Sequence, residues 1–158
     1  MKRRRPGLST SAIHGTHSKK SLGDPVATPI YQSSTFLNPV GSADRVLYTR
    51  YGNNPNQIAI ADRLAQLERT PAAAFLSSGM GATALAHLAV LSPGDHLLSS
   101  DWIYGGTRKL FTDELPRLGI AVSFADPLDP ASWRRKIRKN TRALFFETPT
   151  NPLNRVLR

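Results

Sequence analysis

The sequence predicts an α/β fold: a parallel sheet with helices on its faces, preceded by an extended N-terminal arm. Three observations predict it. From about residue 57 the apolar pattern alternates between helical periods and short runs, giving strand, helix, strand, helix, strand, helix, strand after a first helix. Such alternation joins parallel strands through helical crossovers. Three of the loops leaving these strands, 77–81, 101–106 and 147–152, carry glycine, aromatic or asparagine residues, at the sheet edge where parallel sheets bind ligands. Residues 1–56, by contrast, lack periodicity and are rich in Ser, Thr, Pro, Gly and Asn, so they read as an arm that packs on something else.

The elements follow in order. Gly52-Asn53-Asn54-Pro55 is a turn, and Ile58, Ala61, Leu64, Ala65 and Leu67 then repeat with a helical period. Ala72 to Leu76 is a short apolar run, expected as a buried strand. Ala82 to Leu91 is expected as a buried helix, ended by Ser92-Pro93-Gly94. Asp95 to Ser100 is the second strand. Tyr104-Gly105-Gly106 opens a helix that runs to about Leu118, bent at Pro116 and stopped at Gly119. Ala121 to Phe124 is the third strand, and Asp129-Pro130 starts a helix through Arg138. Arg142 to Glu147 is the fourth.

Composition narrows the function classes. The chain has 158 residues, 40% apolar and 20% charged, enough for one domain with a core. No apolar run approaches the roughly 20 residues that span a bilayer, and no apolar segment follows the basic start as in a secretory signal. There is no cysteine, hence no disulfide framework and no thiolate chemistry, which fits a cytoplasmic protein. The formal net charge of +10 invites a nucleic-acid reading. Its clusters, Lys2 to Arg5 and Arg134 to Lys139, lack the interleaved aromatics of a base-stacking platform, so no nucleic-acid partner is expected. His14, His17, His87 and His96 show no metal-ligand spacing, and no metal is expected.

Ser77-Ser78-Gly79-Met80-Gly81 follows an expected strand and opens a helix. Glycines let backbone N–H groups approach an anion, and the helix start favours negative charge; a phosphate is the natural guest. The loop is neither a triphosphate loop nor a dinucleotide fingerprint. Trp102 and Tyr104 can stack on a flat ligand or cap the core. The third loop offers Glu147 and Asn151; Asn151, between Pro149 and Pro152, can hydrogen-bond a ligand or form an ordinary turn.

Taken together, these segments resemble one family. Thr28-Pro29-Ile30-Tyr31-Gln32-Ser33-Ser34-Thr35-Phe36, then Tyr48-Thr49-Arg50 with an Asn-Pro turn, are similar to the arm of the Cys/Met transsulfuration enzymes that use pyridoxal 5′-phosphate (PLP). Ser77-Ser78-Gly79-Met80, Tyr104-Gly105-Gly106-Thr107 and Glu147-Thr148-Pro149-Thr150-Asn151-Pro152 fall in that family's order. Its members include cystathionine γ-synthase, cystathionine β- and γ-lyase, methionine γ-lyase and the O-acylhomoserine sulfhydrylases. The turn departs from the family's usual spacing, being one residue longer and lacking the threonine after its proline.

The resemblance implies an incomplete sheet of the PLP-dependent transferase large domain, of aspartate-aminotransferase type (fold type I). It implies an arm over 1–56 that packs on a neighbouring subunit, and over 57–158 the first part of the PLP-binding domain. Gly79 and Met80 would bind the PLP phosphate through backbone N–H groups, Tyr104 would stack on the pyridine ring, and Asn151 would bond its 3-oxygen. Tyr48 and Arg50 would reach the phosphate of the neighbouring subunit in a homodimer or homotetramer. The substrate would be a sulfur amino acid: cystathionine, homocysteine or an acylated homoserine, with a γ-synthase or γ-lyase as the nearest likeness.

The family's Schiff-base lysine falls beyond Arg158, so no catalytic residue is expected within these residues and the chain alone is expected to be inactive. Thr16-His17-Ser18-Lys19 lies in the arm and follows no strand; Lys109 is expected inside a helix, and Lys136 and Lys139 belong to the basic cluster at the end of another. A non-catalytic remnant or partner-binding fragment is the alternative, and a basic nucleic-acid-binding module the third.

Overall fold

The structure, a computed structural model, describes residues 7–14, 22–38, 40–41 and 46–156. Lys2 to Arg5, Thr16 to Lys19 and Arg158 lie outside the described residues. The chain divides into two compact units, Met1–Phe75 and Leu76–Arg158.

The first unit contains α1 (Leu8–His14), a 3₁₀ turn (Thr49–Tyr51) and α2 (Pro55–Glu68). Helix α1 packs on α2, and Arg63 donates to the Ala12 carbonyl at 3.1 Å. Helix α2 starts as the sequence signals: Asn54 caps it in a capping box with Gln57, and Pro55 takes the first turn. The rest of the unit has few buried apolar side chains, and asparagines organise it instead. Asn54 Nδ2 donates to Ser33 O and Thr49 Oγ1, both at 3.0 Å. Asn53 accepts from Tyr48 N–H and donates to Val46 O, while Asn56 exchanges two hydrogen bonds with the backbone of Tyr31. Backbone groups that lack a ladder partner are thus paired by side-chain amides.

The second unit contains α3 (Gly79–Leu88), β1 (His96–Ser100), α4 (Gly105–Lys109), a π-helical turn (Leu110–Glu114), α5 (Leu115–Arg117), β2 (Ala121–Ala125), α6 (Pro130–Lys136) and β3 (Thr141–Phe145). The strands form a parallel sheet in the order β2-β1-β3. The central strand is buried along its whole length, as parallel strands covered on both faces are. Leu91, Leu97, Ile103, Phe111, Leu115 and Ile120 form the core, with Val122, Phe124, Ala143 and Phe145 packed against them. His87 is buried among rings, 4.7 Å from Phe111 and 5.0 Å from Phe145, and its Nδ1 lies 2.7 Å from Thr83 O.

Three expectations change. Ala72 to Leu76 is not a strand; the segment belongs to no helix or strand, Phe75 is half exposed, and the boundary between the two units falls inside it. A strand is defined by hydrogen bonds to a neighbour, and an apolar run has no means of supplying one. The next helix starts at Gly79 instead of Ala82, because the Ser78 hydroxyl accepts from Gly81 N–H at 3.0 Å and caps it there. The helix expected from Tyr104 to Leu118 passes through a π turn. Pro116 has no N–H to give and its ring crowds the carbonyl four residues back, so Leu115 N–H bonds to Leu110 O. Gly119, at φ +76°, ends that helix as expected.

Strand β3 alternates as a half-buried strand does: Ala143 and Phe145 face the core, while Leu144 and Phe146 are exposed. Among the described residues no helix is long and apolar enough to cross a membrane.

Candidate functional site

The capping of α3 leaves an opening for an anion. Ser78 satisfies Gly81 N–H, and Ala82 N–H returns to Ser78 O. The N–H groups of Gly79 and Met80 have no acceptor among the described residues. A Cβ placed on Gly79 would meet nothing within 4 Å, so a ligand can approach the backbone there.

Met80 turns its side chain toward α4. Its Sδ lies 3.9 Å from Thr107 Oγ1, and Thr107 is buried. Tyr104 sits at the N-cap of α4 with its side chain half exposed. Its ring lies close over Gly106: a Cβ on that glycine would fall 2.5 Å from Tyr104 Cε1 and 3.2 Å from Met80 Sδ. Any larger residue would displace the ring.

Tyr104 N–H donates to Glu147 Oε2 at 2.9 Å. Since Tyr104 follows β1 and Glu147 follows β3, this bond ties together two loops at the carboxyl edge of the sheet. Beyond Glu147, Thr150 is buried and organises the turn: its N–H donates to Arg155 O, its carbonyl accepts from Asn154 N–H, and its hydroxyl accepts from Arg155 N–H. Asn151 is exposed on that turn. A hollow of about 250 Å³ lies between it and the other loop, lined by Asp101, Trp102, Ile103, Thr150, Asn151, Pro152 and Leu153. Trp102 is not a free platform, because the Arg155 guanidinium lies 4.9 Å from its ring centroid. Arg108 pairs with Asp101 at 3.0 Å and covers the Phe124 ring.

Gly79, Met80, Tyr104 and Asn151 thus belong to one unit. Met80 meets the start of α4, and Tyr104 and Asn151 stand on neighbouring loops at one sheet edge. Tyr48 and Arg50 belong to the first unit. Tyr48 N–H is held by Asn53 at 2.8 Å and its ring meets Tyr51 edge-on at 5.2 Å; Arg50 is exposed and makes no ion pair with the described residues. Sequence reasoning gave no role to Glu147 or to the close approach at Gly106. Both depend on which loops the sheet brings together.

The shifted ionisations belong to structural groups. Burial pushes the His96 imidazole below its ordinary value, and the positive charge of Arg138 adds to this. His96 Nδ1 lies 2.8 Å from Thr141 Oγ1, while its Nε2 is buried with no partner among the described residues. Burial opposes ionisation of Asp129, but hydrogen bonds from Ala131 N–H, Arg135 and Ser132 N–H outweigh it and hold the carboxyl below its ordinary value. Asp129 caps α6, and through Arg135 it engages part of the basic cluster.

Comparison with known proteins assigns the family. The family described as Cys/Met metabolism PLP-dependent enzyme matches residues 9–157. The L-methionine gamma-lyase of Porphyromonas gingivalis is 39% identical over 157 residues, covering 94% of this chain and 39% of that protein. The O-acetyl-L-homoserine sulfhydrylase of Corynebacterium glutamicum is 39% identical over 163 residues, covering 96% of this chain and 37% of that protein. Among solved structures, cystathionine gamma-lyase from Lactobacillus plantarum, complexed with L-serine, superposes with a TM-score of 0.83 at 32% identity. It covers 96% of this chain and 39% of that one. The fold is that of the PLP-dependent fold type I enzymes, represented by a small parallel sheet with its helices. Within that class the chain belongs to the Cys/Met metabolism PLP-dependent enzyme family. It spans about two fifths of the length of the relatives it matches.

Proposed function

We propose that this chain supplies the phosphate- and ring-binding part of a PLP site in an enzyme that makes or breaks C–S bonds in sulfur amino acids. The observation that supports it most is the pair of N–H groups at Gly79 and Met80 that have no acceptor among the described residues, together with the half-exposed ring of Tyr104, which meets Met80 Sδ over Gly106. A phosphorylated pyridine needs such a pair of features: donors for the phosphate and a flat apolar face for the ring.

On this reading Gly79 and Met80 donate to the phosphate, Tyr104 stacks on the ring and Asn151 bonds its 3-oxygen. Bound PLP supplies an electron sink for bond cleavage beside the substrate's α-carbon. Residues 1–56 form an arm that packs on a neighbouring subunit of a homodimer or homotetramer, and residues 57–158 begin the PLP-binding domain. Tyr48 and Arg50 serve the neighbour's phosphate, where the planar guanidinium of Arg50 matches phosphate oxygens. The reactive lysine lies in the part of the family's length that this chain does not span. The substrate is cystathionine, homocysteine or an acylated homoserine, and the enzyme is a γ-synthase or γ-lyase working in the cytoplasm, with no nucleic-acid or membrane partner. The named relatives carry out different reactions at equal identity, so similarity over these residues does not choose among them.

Gly79→Asp tests the reading, because it sets a carboxylate where the phosphate would sit. Equilibrium dialysis should show the affinity for PLP reduced by about 10-fold or more, the loss expected for charge-assisted hydrogen bonds. Unchanged affinity contradicts the site.

A further inference from the structure

We propose that Glu147 is a positioning residue that fixes the ring of Tyr104 for stacking, an inference that rests on the cofactor reading above. The two residues are 43 positions apart and join through one bond, Tyr104 N–H to Glu147 Oε2 at 2.9 Å. Among the described residues Glu147 makes no ion pair, so no cation accounts for a carboxylate at this half-buried place. Its observed partner is a backbone N–H, and a hydrogen bond of this kind is directional.

The place of that N–H gives the bond its consequence. Tyr104 is the N-cap of α4, and its carbonyl accepts from Arg108 N–H at 2.9 Å, so its backbone is held on both sides. The ring lies above Gly106 and beside Met80 Sδ. Without Glu147 the loop from Asp101 to Tyr104 loses its hydrogen bond to the loop that carries Asn151 and keeps the contact of Trp102 with Arg155. Glu147 thereby helps set the spacing between the stacking ring and the asparagine, while the N–H groups of Gly79 and Met80 belong to the start of α3.

The test uses the full chain, Glu147→Ala and Glu147→Gln, since a glutamine oxygen can still accept from Tyr104 N–H. Hydrogen exchange at the Tyr104 amide is read without ligand. Affinities are read for pyridoxamine 5′-phosphate, which has no aldehyde to condense with exposed lysines, and for inorganic phosphate. Glu147→Ala should speed Tyr104 exchange by about tenfold and weaken pyridoxamine 5′-phosphate by about 3- to 10-fold, leaving inorganic phosphate unchanged. Glu147→Gln should restore both. Wild-type protection at Tyr104 in the alanine variant overturns the proposal. So does an unchanged affinity once the amide is released, or an equal loss for inorganic phosphate. A wild-type chain that binds neither probe contradicts the cofactor reading itself; the ligand-free exchange rate distinguishes that failure from failure of the Glu147 tie.

Discussion

The Sδ of Met80 lies 3.9 Å from the Thr107 hydroxyl, so the first turns of α3 and α4 meet through these side chains. The Met80 side chain and the Tyr104 ring also meet over Gly106. The start of α3 and the βα loop that carries Tyr104 thus share a boundary there.

Gly106→Ala should separate ligand binding from stability. The added methyl would fall 2.5 Å from Tyr104 Cε1, and the ring must turn away at a cost of about 1 kcal/mol. Replacing glycine inside a helix returns about the same amount. Urea unfolding should therefore shift by less than about 1 kcal/mol, while affinity for pyridoxamine 5′-phosphate falls several-fold. Equal affinity in the two proteins would show that the ring does not touch the ligand.

His96 should make the fold acid-sensitive. Its pKa is lower in the folded chain than the roughly 6.5 of an unfolded one, because burial, and then Arg138, disfavour the charged form. Below about pH 6.5 the unfolded state therefore takes up the proton first, and stability falls as pH drops toward the folded value. The slope contributed by one group is at most about 1.4 kcal/mol per pH unit. His96→Asn should flatten the stability profile between pH 7 and 5. Parallel profiles would place the acid sensitivity elsewhere.

Asn54→Ala should loosen the first unit. It removes the cap of α2 and both bonds from Nδ2 to Ser33 and Thr49. Loss of such a cap costs about 0.5–2 kcal/mol. Hydrogen exchange should speed at the amides of Thr49 and Asn56, while those of Leu97 and Leu98 in β1 keep their protection. Equal acceleration in both regions would mean that the units unfold together.

The readable parts of the sequence were those set by neighbouring residues. Asn54-Pro55, Asp129-Pro130 and Gly119 mark helix ends because capping and backbone freedom act within a few positions. The loops bearing Gly79, Tyr104 and Asn151 were legible for the same reason, since each follows an apolar run. The run Ala72–Leu76 misled, because strand status depends on a partner that the run does not contain. The tie from Glu147 to Tyr104, 43 residues apart, was hidden: it exists only because β3 lies beside β1. The π turn before Pro116 was half visible, in that a bend was expected but its form depends on how Leu115 fits the core.

The central claim is that these residues hold a phosphorylated pyridine through backbone donors at Gly79 and Met80. Isothermal titration of the 158-residue chain with pyridoxamine 5′-phosphate, and with pyridoxamine lacking the phosphate, tests it most directly. One equivalent of the phosphorylated ligand should bind, at least about tenfold more tightly than the other, with no turnover of cystathionine. Equal affinity for the two ligands, or no binding of the phosphorylated one, would contradict the account.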